Sequence, residues 1–394
     1  MCDFHHSCTG KIVCYHGAVS RYLMYDAIVV GARCAGAPTA MLLARKGYRV
    51  LMVDRDSFPS DIMSTHYIHL PGQVRLQRWG LLEKIIESGA PCIRARTLHF
   101  NGTAFQPPDP PLPEGVSPDT LCPRRIVLDK ILVDAAVEAG AELREGFPVR
   151  GLVQDNGSVN GIRGRPRDGE FEERARIVIG ADGLQSTIAR LIQPEEYDTK
   201  VSLTFGYYTY WSGVPDSGMH IHFFDDAYGV LVFPTNWGQT CIGVGGLNAG
   251  FQAFRRDIER NYLKIIDRIP ELASHVRAGK REERYLGTAD MPNYFRKPYG
   301  PGWALTGDAG YHRDFITGLG INDAFLQAEL LVEAIDDAFS GRRTEEEAFS
   351  HFENERNRFV KPTYDLTVKM ASGETIEPME FMAFGAAMTA MIPA

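Results

Sequence analysis

The sequence predicts an α/β fold in which a Rossmann-like domain is interrupted by an antiparallel β-sheet domain and followed by C-terminal helices. Three observations carry this reading. A strand, turn, helix, strand pattern occupies residues 25–54, and alternating aromatic and small residues fill about 200–245. A buried strand with a glycine-rich loop and a long helix then returns after residue 300. Helical periodicity on both sides of a period-two stretch is what an inserted sheet looks like in one dimension.

Each element has a local reason. "YDAIVV" is a short buried run, "GAPTAMLLARKG" is a helix stopped by Gly47, and "YRVLMVD" is the next strand. Pro38 fits the first helical turn, where a missing amide costs little. "VLDKILVDAAVEAG" spaces its apolar residues as a helix ending at Gly140, and strands follow around "VRGLVQ", "VNGIRG" and "EERARIVIGAD". Composition shifts near Pro194. "SLTFGYYTYWSGV", "MHIHFFD", "YGVLVFP" and "QTCIGVGG" then read as an antiparallel sheet, with charged helices from Phe251 to about Lys280. "WALTGDAG" resumes the first domain and "INDAFLQAELLVEAIDDAF" is its long helix. The expected division is 24–196 plus 285–340 for the nucleotide domain, 197–284 for the sheet domain and 341–394 for the C-terminal helical segment. Residues 1–23 read as a disordered leader or a misplaced start, because the first strand pattern begins cleanly at Met24.

Composition narrows the function. A net charge of −8, with basic residues scattered rather than in blocks, argues against nucleic acid. No run of about 18 apolar residues is present to span a bilayer, and the tail "FMAFGAAMTAMIPA" is expected to pack on its own domain. Seven cysteines without paired spacing point to a reducing, cytoplasmic setting. Cys2, Cys8 and Cys14 lack a C-x-x-C signature, and no metal is expected.

Three motifs carry the chemistry. "VVGARCAGAPTA" places Gly31 and Gly36 where a dinucleotide-binding turn has its outer glycines, but Arg33 stands where the middle glycine is usual. Asp54 ends the second strand about 20 residues on, where an acid can hold ribose hydroxyls. "GADGLQSTIAR" contains Asp182 and Gly183; alone it reads equally as an Asp-Gly turn before a capped helix. "LTGDAGYHRDFITGLGINDAF" brings Gly307 and Asp308, then Gly318, Gly320, Ile321 and Asn322 at a helix N-terminus, where aligned amides favour negative charge.

In this order and spacing the motifs resemble the single-component FAD-dependent monooxygenases of the para-hydroxybenzoate hydroxylase-like superfamily, which also includes geranylgeranyl reductase-like proteins. The resemblance spans about residues 24–345 and implies a GR2-type FAD-binding domain. It implies that the first motif with Ala35, Asp54 and Arg55 holds the ADP half of FAD. It places Asp182 and Gly183 near the pyrophosphate, Asp308 on the ribityl side, and Arg125, chosen over Arg124 by its spacing to Leu128, on the cofactor. Arg33 is then a substitution within a working turn, its guanidinium reaching a phosphate or the flavin edge. Tyr311 stands where the family often has histidine, Asp314-Phe315 replaces a proline pair, and the W-x-W-x-I-P segment of the halogenase relatives is absent.

The resemblance further implies NAD(P)H as co-substrate and O2 as the oxygen donor, for hydroxylation or epoxidation of an apolar, aromatic or polyketide-like small molecule of secondary metabolism. Tyr208, Tyr210 and Phe315 are expected at the substrate, and His312 and His66 as acid or base groups. Reduction of isoprenoid double bonds is the enzymatic alternative, and a non-catalytic flavin-binding scaffold the alternative of another class. A monomer or homodimer is expected.

Overall fold

A computed structural model describes residues 24–64, 66–109, 112, 114–164, 169 and 171–393. The leader with Cys2, Cys8 and Cys14 lies outside them. The first strand, β1 (Tyr25–Val30), sends Ala27 and Val29 into one core and Tyr25, Ile28 and Val30 into another. A strand covered on both faces must be apolar on both, so it reads as a continuous run rather than an alternation. Helix α1 (Gly36–Arg45) leads to β2 (Val50–Val53), parallel to β1. Then come α2 (Leu70–Trp79), β3 (Arg96–Phe100), α3 (Arg125–Glu138), β4 (Glu142–Arg144), β5 (Phe171–Gly180) and α4 (Thr187–Ile192).

The second sheet is built from β6 (Thr204–Ser212), β7 (Met219–Phe223), β8 (Gly229–Thr235) and β9 (Gln239–Leu247), with α5 (Ile258–Ile266) and α6 (Pro270–Ala278) packed on one face. The chain returns through β10 (Trp303–Leu305) to α7 (Gly320–Phe339), α8 (Glu345–Ala371) and α9 (Pro378–Ala390). The parallel core of the first sheet runs β10, β5, β1, β2, β4. The second runs β6, β9, β8, β7, β3 and is antiparallel except where β7 meets β3. So β3, which lies within the stretch expected for the nucleotide domain, pairs with the second sheet. Among the described residues no helix is long and apolar enough to cross a membrane. The C-terminal tail is tied down by Arg75, whose Nη1 donates to the Met391 carbonyl at 2.8 Å.

The turns that follow β1, β5 and β10 meet at the carboxyl ends of the parallel strands, where open α/β sheets bind ligands. They meet at glycines. A Cβ on Gly36 would lie 1.7 Å from the Gly31 carbonyl oxygen, and one on Gly31, at φ +98°, 2.4 Å from the Ala181 carbonyl oxygen. A Cβ on Gly307 would lie 2.6 Å from the Ala35 Cβ. Gly36→Ala is therefore expected to destabilise the protein by about 3 kcal/mol in denaturant unfolding, because backbone would have to move. Gly385→Ala in α9, where nothing lies within 4 Å, is expected instead to stabilise by about 0.5–1 kcal/mol through helix propensity.

Candidate active site

One cavity of about 960 Å³ runs from the three converging turns to the second sheet, at the upper end of the ~300–1,000 Å³ range of small-molecule sites. At its first end lie Gly31, Arg33, Ala35, Asp54 and the exposed Arg55. Helix α1 begins here without a side-chain cap; the Ala37 amide goes to the Arg33 carbonyl at 2.9 Å and Pro38 has no N–H, so the amides at Ala35 and Gly36 are those left for a ligand. Asp54, 7% exposed, accepts from the Ala32 amide at 2.7 Å and the Asp56 amide at 2.9 Å, one on each oxygen. A carboxylate has about four acceptor positions, so capacity remains for hydroxyl donors. Burial pushes its carboxyl up from the usual range, against the pull of the two amides.

Arg33 differs from expectation. Its guanidinium is paired with Asp129 at 2.7 Å and Asp56 at 3.0 Å, and it donates to the Ser60 hydroxyl at 2.9 Å. The physical reason is Asp129, on α3 and fully buried, which would otherwise carry charge without enough counter-charge. Arg125 shares it, with Nε on one oxygen at 2.9 Å and Nη2 on the other at 3.0 Å. Arg125 lines the cavity, while Arg124 turns to Asp61 and Glu283 and lies 3.6 Å over the Tyr210 ring. The buried Cys34 thiol, within 3.4 Å of Asp129, is pushed up by burial and stays protonated.

Asp182 and Gly183 reach the cavity, but the Asp182 carboxylate is committed to its own turn. It accepts from the Ser186 hydroxyl at 2.5 Å and from the Thr187 amide at 2.6 Å, while Ser186 caps α4 through the Ala189 amide. That helix start has no spare amides to offer a phosphate, unlike the start of α1. Gly307, Asp308, Gly318, Gly320 and Ile321 line the next part of the cavity. Among the described residues no donor reaches the Asp308 carboxylate, and α7 also begins without a side-chain cap. Asn322 and Gly36 do not line the cavity. Asn322 instead accepts from the Gly72 amide at 2.8 Å, locking α2 to α7, and Gly36 is enclosed by the turn. The sequence reading missed Arg313 and Asp323, a buried pair at 2.6 Å beneath the start of α7; burial raises the Asp323 carboxyl to about 6 despite the arginine.

The far end is walled by Tyr208, Ile221, Leu231, Cys241 and Gly243 on one face of the second sheet, and by Phe315 and His312 from the Gly-Asp loop. Phe315 sits over the cross-strand pair Gly206 and Gly245, and a Cβ on Gly206 would come 2.7 Å from its ring. Tyr208 accepts a hydrogen bond from the Ser64 amide at 3.0 Å. Tyr210 points to the same side but does not reach the cavity, because Arg124 and His66 cover it. His66 is likewise outside the cavity and 1% exposed, with Nε2 2.9 Å from the Tyr210 hydroxyl and Nδ1 2.9 Å from the Cys122 sulfur. Burial, with Arg124 and Arg125 adding to it, lowers its pKa to about 3. His66 is thus a neutral linker beneath the sheet wall, whereas the His312 Nδ1 meets the Pro292 carbonyl at the cavity.

The FAD binding domain family matches residues 24–367. A digeranylgeranylglycerophospholipid reductase of Methanocella arvoryzae is 26% identical over 358 residues, covering 88% of this chain and 86% of the relative. A rifampicin monooxygenase of Streptomyces venezuelae is 31% identical over 173 residues, covering 43% of this chain and 34% of the relative. The myxobacterial chondrochloren halogenase CndH superposes with a TM-score of 0.81 at 21% identity, covering 94% of this chain and 90% of that one. At that identity the likeness is one of fold.

Two outcomes are expected. A double-mutant cycle of Arg33→Gln and Asp129→Asn, read by denaturant unfolding, should give a coupling of about 1–3 kcal/mol; additivity would mean that the pair does no work. The second concerns His66, whose folded pKa lies below that of the unfolded chain. The unfolded state then binds more protons below pH 6.5, and stability is lost as pH falls from there toward 3. Wild type should lose about 1.4 kcal/mol more per pH unit than His66→Gln between pH 6 and 4.5.

Proposed function

The chain belongs to the FAD binding domain family, and from that membership we propose that it is an FAD-dependent oxidoreductase that takes electrons from NAD(P)H and reduces double bonds of an apolar, isoprenoid-like chain. The observation that carries this reading is the continuity of one cavity from nucleotide-type turns to an apolar sheet wall. The reductase relative supports it by matching 88% of this chain. Oxygen insertion into an apolar or aromatic molecule is the second reading. It is favoured by the rifampicin monooxygenase match, which spans too little of the chain to represent both halves.

The residues present fit FAD. The uncapped start of α1 offers amides to phosphate oxygens. Asp54 has acceptor capacity left for a ribose, and Asp308 for a polyol chain. The amides at Gly320 and Ile321 favour negative charge at the ring end. When bound, FAD supplies the electron transfer, and the protein's part is to orient it and keep water out. Phe315 and the wall formed by Tyr208, Leu231 and Ile221 exclude water from the reacting end. The protonated groups at that wall are the Tyr208 hydroxyl and the Cys241 thiol, both held above their usual ranges by burial. His312 is the cavity's imidazole.

The test incubates the flavin-loaded chain with NAD(P)H and a geranylgeranyl-bearing lipid, under argon and in air, with products identified by mass spectrometry. Addition of two hydrogens per double bond without oxygen is the expected result. A product heavier by one oxygen atom, formed only in air, would replace this reading with the second. No product under either atmosphere would overturn both.

A further inference from the structure

Three histidines converge on the face of the second sheet that lies opposite the cavity wall. Strands β3 and β7 run parallel, with His222 beside His99 and His220 beside Thr97. Side chains alternate along a strand, so His99, His220 and His222 share one face, while Leu98 and Ile221 project from the other. The Nε2 of His99 lies 3.0 Å from the Nδ1 of His220, and the rings of His99 and His222 stack 4.0 Å apart with planes 6° from parallel. One nitrogen from each of the three lies within 4.8 Å of the others. Among the described residues this is the one cluster of three or more histidine, cysteine or carboxylate side chains so arranged.

The hydrogen bonding points to a shared ligand. The Nε2 of His220 is 3.0 Å from the Ser217 carbonyl oxygen, which can only accept, so that nitrogen carries the proton. Its Nδ1 therefore presents a lone pair toward His99. An imidazole whose outer N–H is fixed on a carbonyl while its other nitrogen faces inward is the arrangement that orients metal-bound histidines.

We propose that His99, His220 and His222 bind one borderline divalent transition-metal ion, such as Zn2+, through three imidazole nitrogens, with water completing the coordination. The donor set excludes hard cations, which take oxygen ligands. Two nitrogens about 2.0–2.1 Å from a tetrahedral Zn2+ stand about 3.3 Å apart. The His99 and His220 nitrogens are within a few tenths of an ångström of that spacing, and rotation of the third ring closes the rest. His99 and His220 are 121 positions apart in sequence. The ion would tie strand β3 to β7 within the sheet whose opposite face, through Ile221, walls the cavity.

The test does not depend on the flavin reading. The full chain as purified, stripped of metal with a chelator, is titrated with Zn2+ by calorimetry and, separately, with Mg2+. Wild type is compared with His99→Ala/His220→Ala/His222→Ala, with His222→Gln alone, and with His351→Ala as a surface control. Wild type should bind one Zn2+ per chain more than the triple variant, a difference that cancels any zinc held by His5, His6 or the N-terminal cysteines. Zn2+ should raise the Tm, His222→Gln should weaken the site by about tenfold or more, His351→Ala should behave as wild type, and Mg2+ should not bind. Equal stoichiometry and affinity in wild type and the triple variant would overturn the proposal. If the triple variant loses its flavin spectrum, His222→Gln decides alone: unchanged affinity overturns the site and weakened binding supports it.

Discussion

The structure depends on three turns that meet at glycines, close enough that an added Cβ would clash. Gly31 abuts Ala181, Gly36 abuts the Gly31 carbonyl, and Gly307 abuts Ala35. These contacts bring the ends of β1, β5 and β10 together and thereby set where α1 and α7 start. Both helices begin uncapped beside the same cavity. Local packing thus leaves amides at both helix starts that no side chain caps. The contrast with α4 is informative, because Asp182 and Ser186 satisfy that helix start from within.

Charge is arranged around the turns on the same principle. Asp129 is the buried hub: it takes Arg125 from one turn earlier on its own helix and Arg33 from the first turn. Arg33 passes the connection on to Asp56 and Ser60. The residue that replaces the expected middle glycine therefore acts as a strut across the mouth of the site, and the turn tolerates it because the close approaches belong to Gly31 and Gly36. A second strut, with Arg124 over Tyr210 and Tyr210 on His66, closes the sheet end. A buried imidazole next to a guanidinium remains neutral, which suits a linker better than an acid.

Much of this was legible in the sequence, and the remainder has identifiable causes. The βαβ unit, the inserted sheet and the returning strand announce themselves through periodicity, and the glycines of the three motifs mark backbone contacts. The partner of Arg33 was not legible. Asp129 reads as an ordinary i, i+4 partner of Arg125, and only the tertiary fold brings it to a residue 96 positions away. Strand β3 was missed as part of the second sheet for the same reason, since its partner β7 lies more than a hundred residues on. Tyr210 and His66 have the chemistry of a pocket, but a period-two pattern names a face and does not say where along it the cavity stops. Asn322 and Asp323 are adjacent on α7, and the helix turns the less expected of the two toward the cavity.

The central claim is that the first turn, with Asp54 and the start of α1, holds the nucleotide half of FAD, while the Gly-Asp loop and α7 hold the flavin half. A direct measurement is the equilibrium affinity of the flavin-free chain for FAD, FMN and riboflavin under one set of conditions. FAD alone can engage both ends, through several charge-assisted hydrogen bonds worth about 1.5–3 kcal/mol each. The account therefore predicts that FAD binds at least about a hundredfold more tightly than FMN. Equal affinity for FAD and FMN would contradict it, because the first turn would then hold nothing.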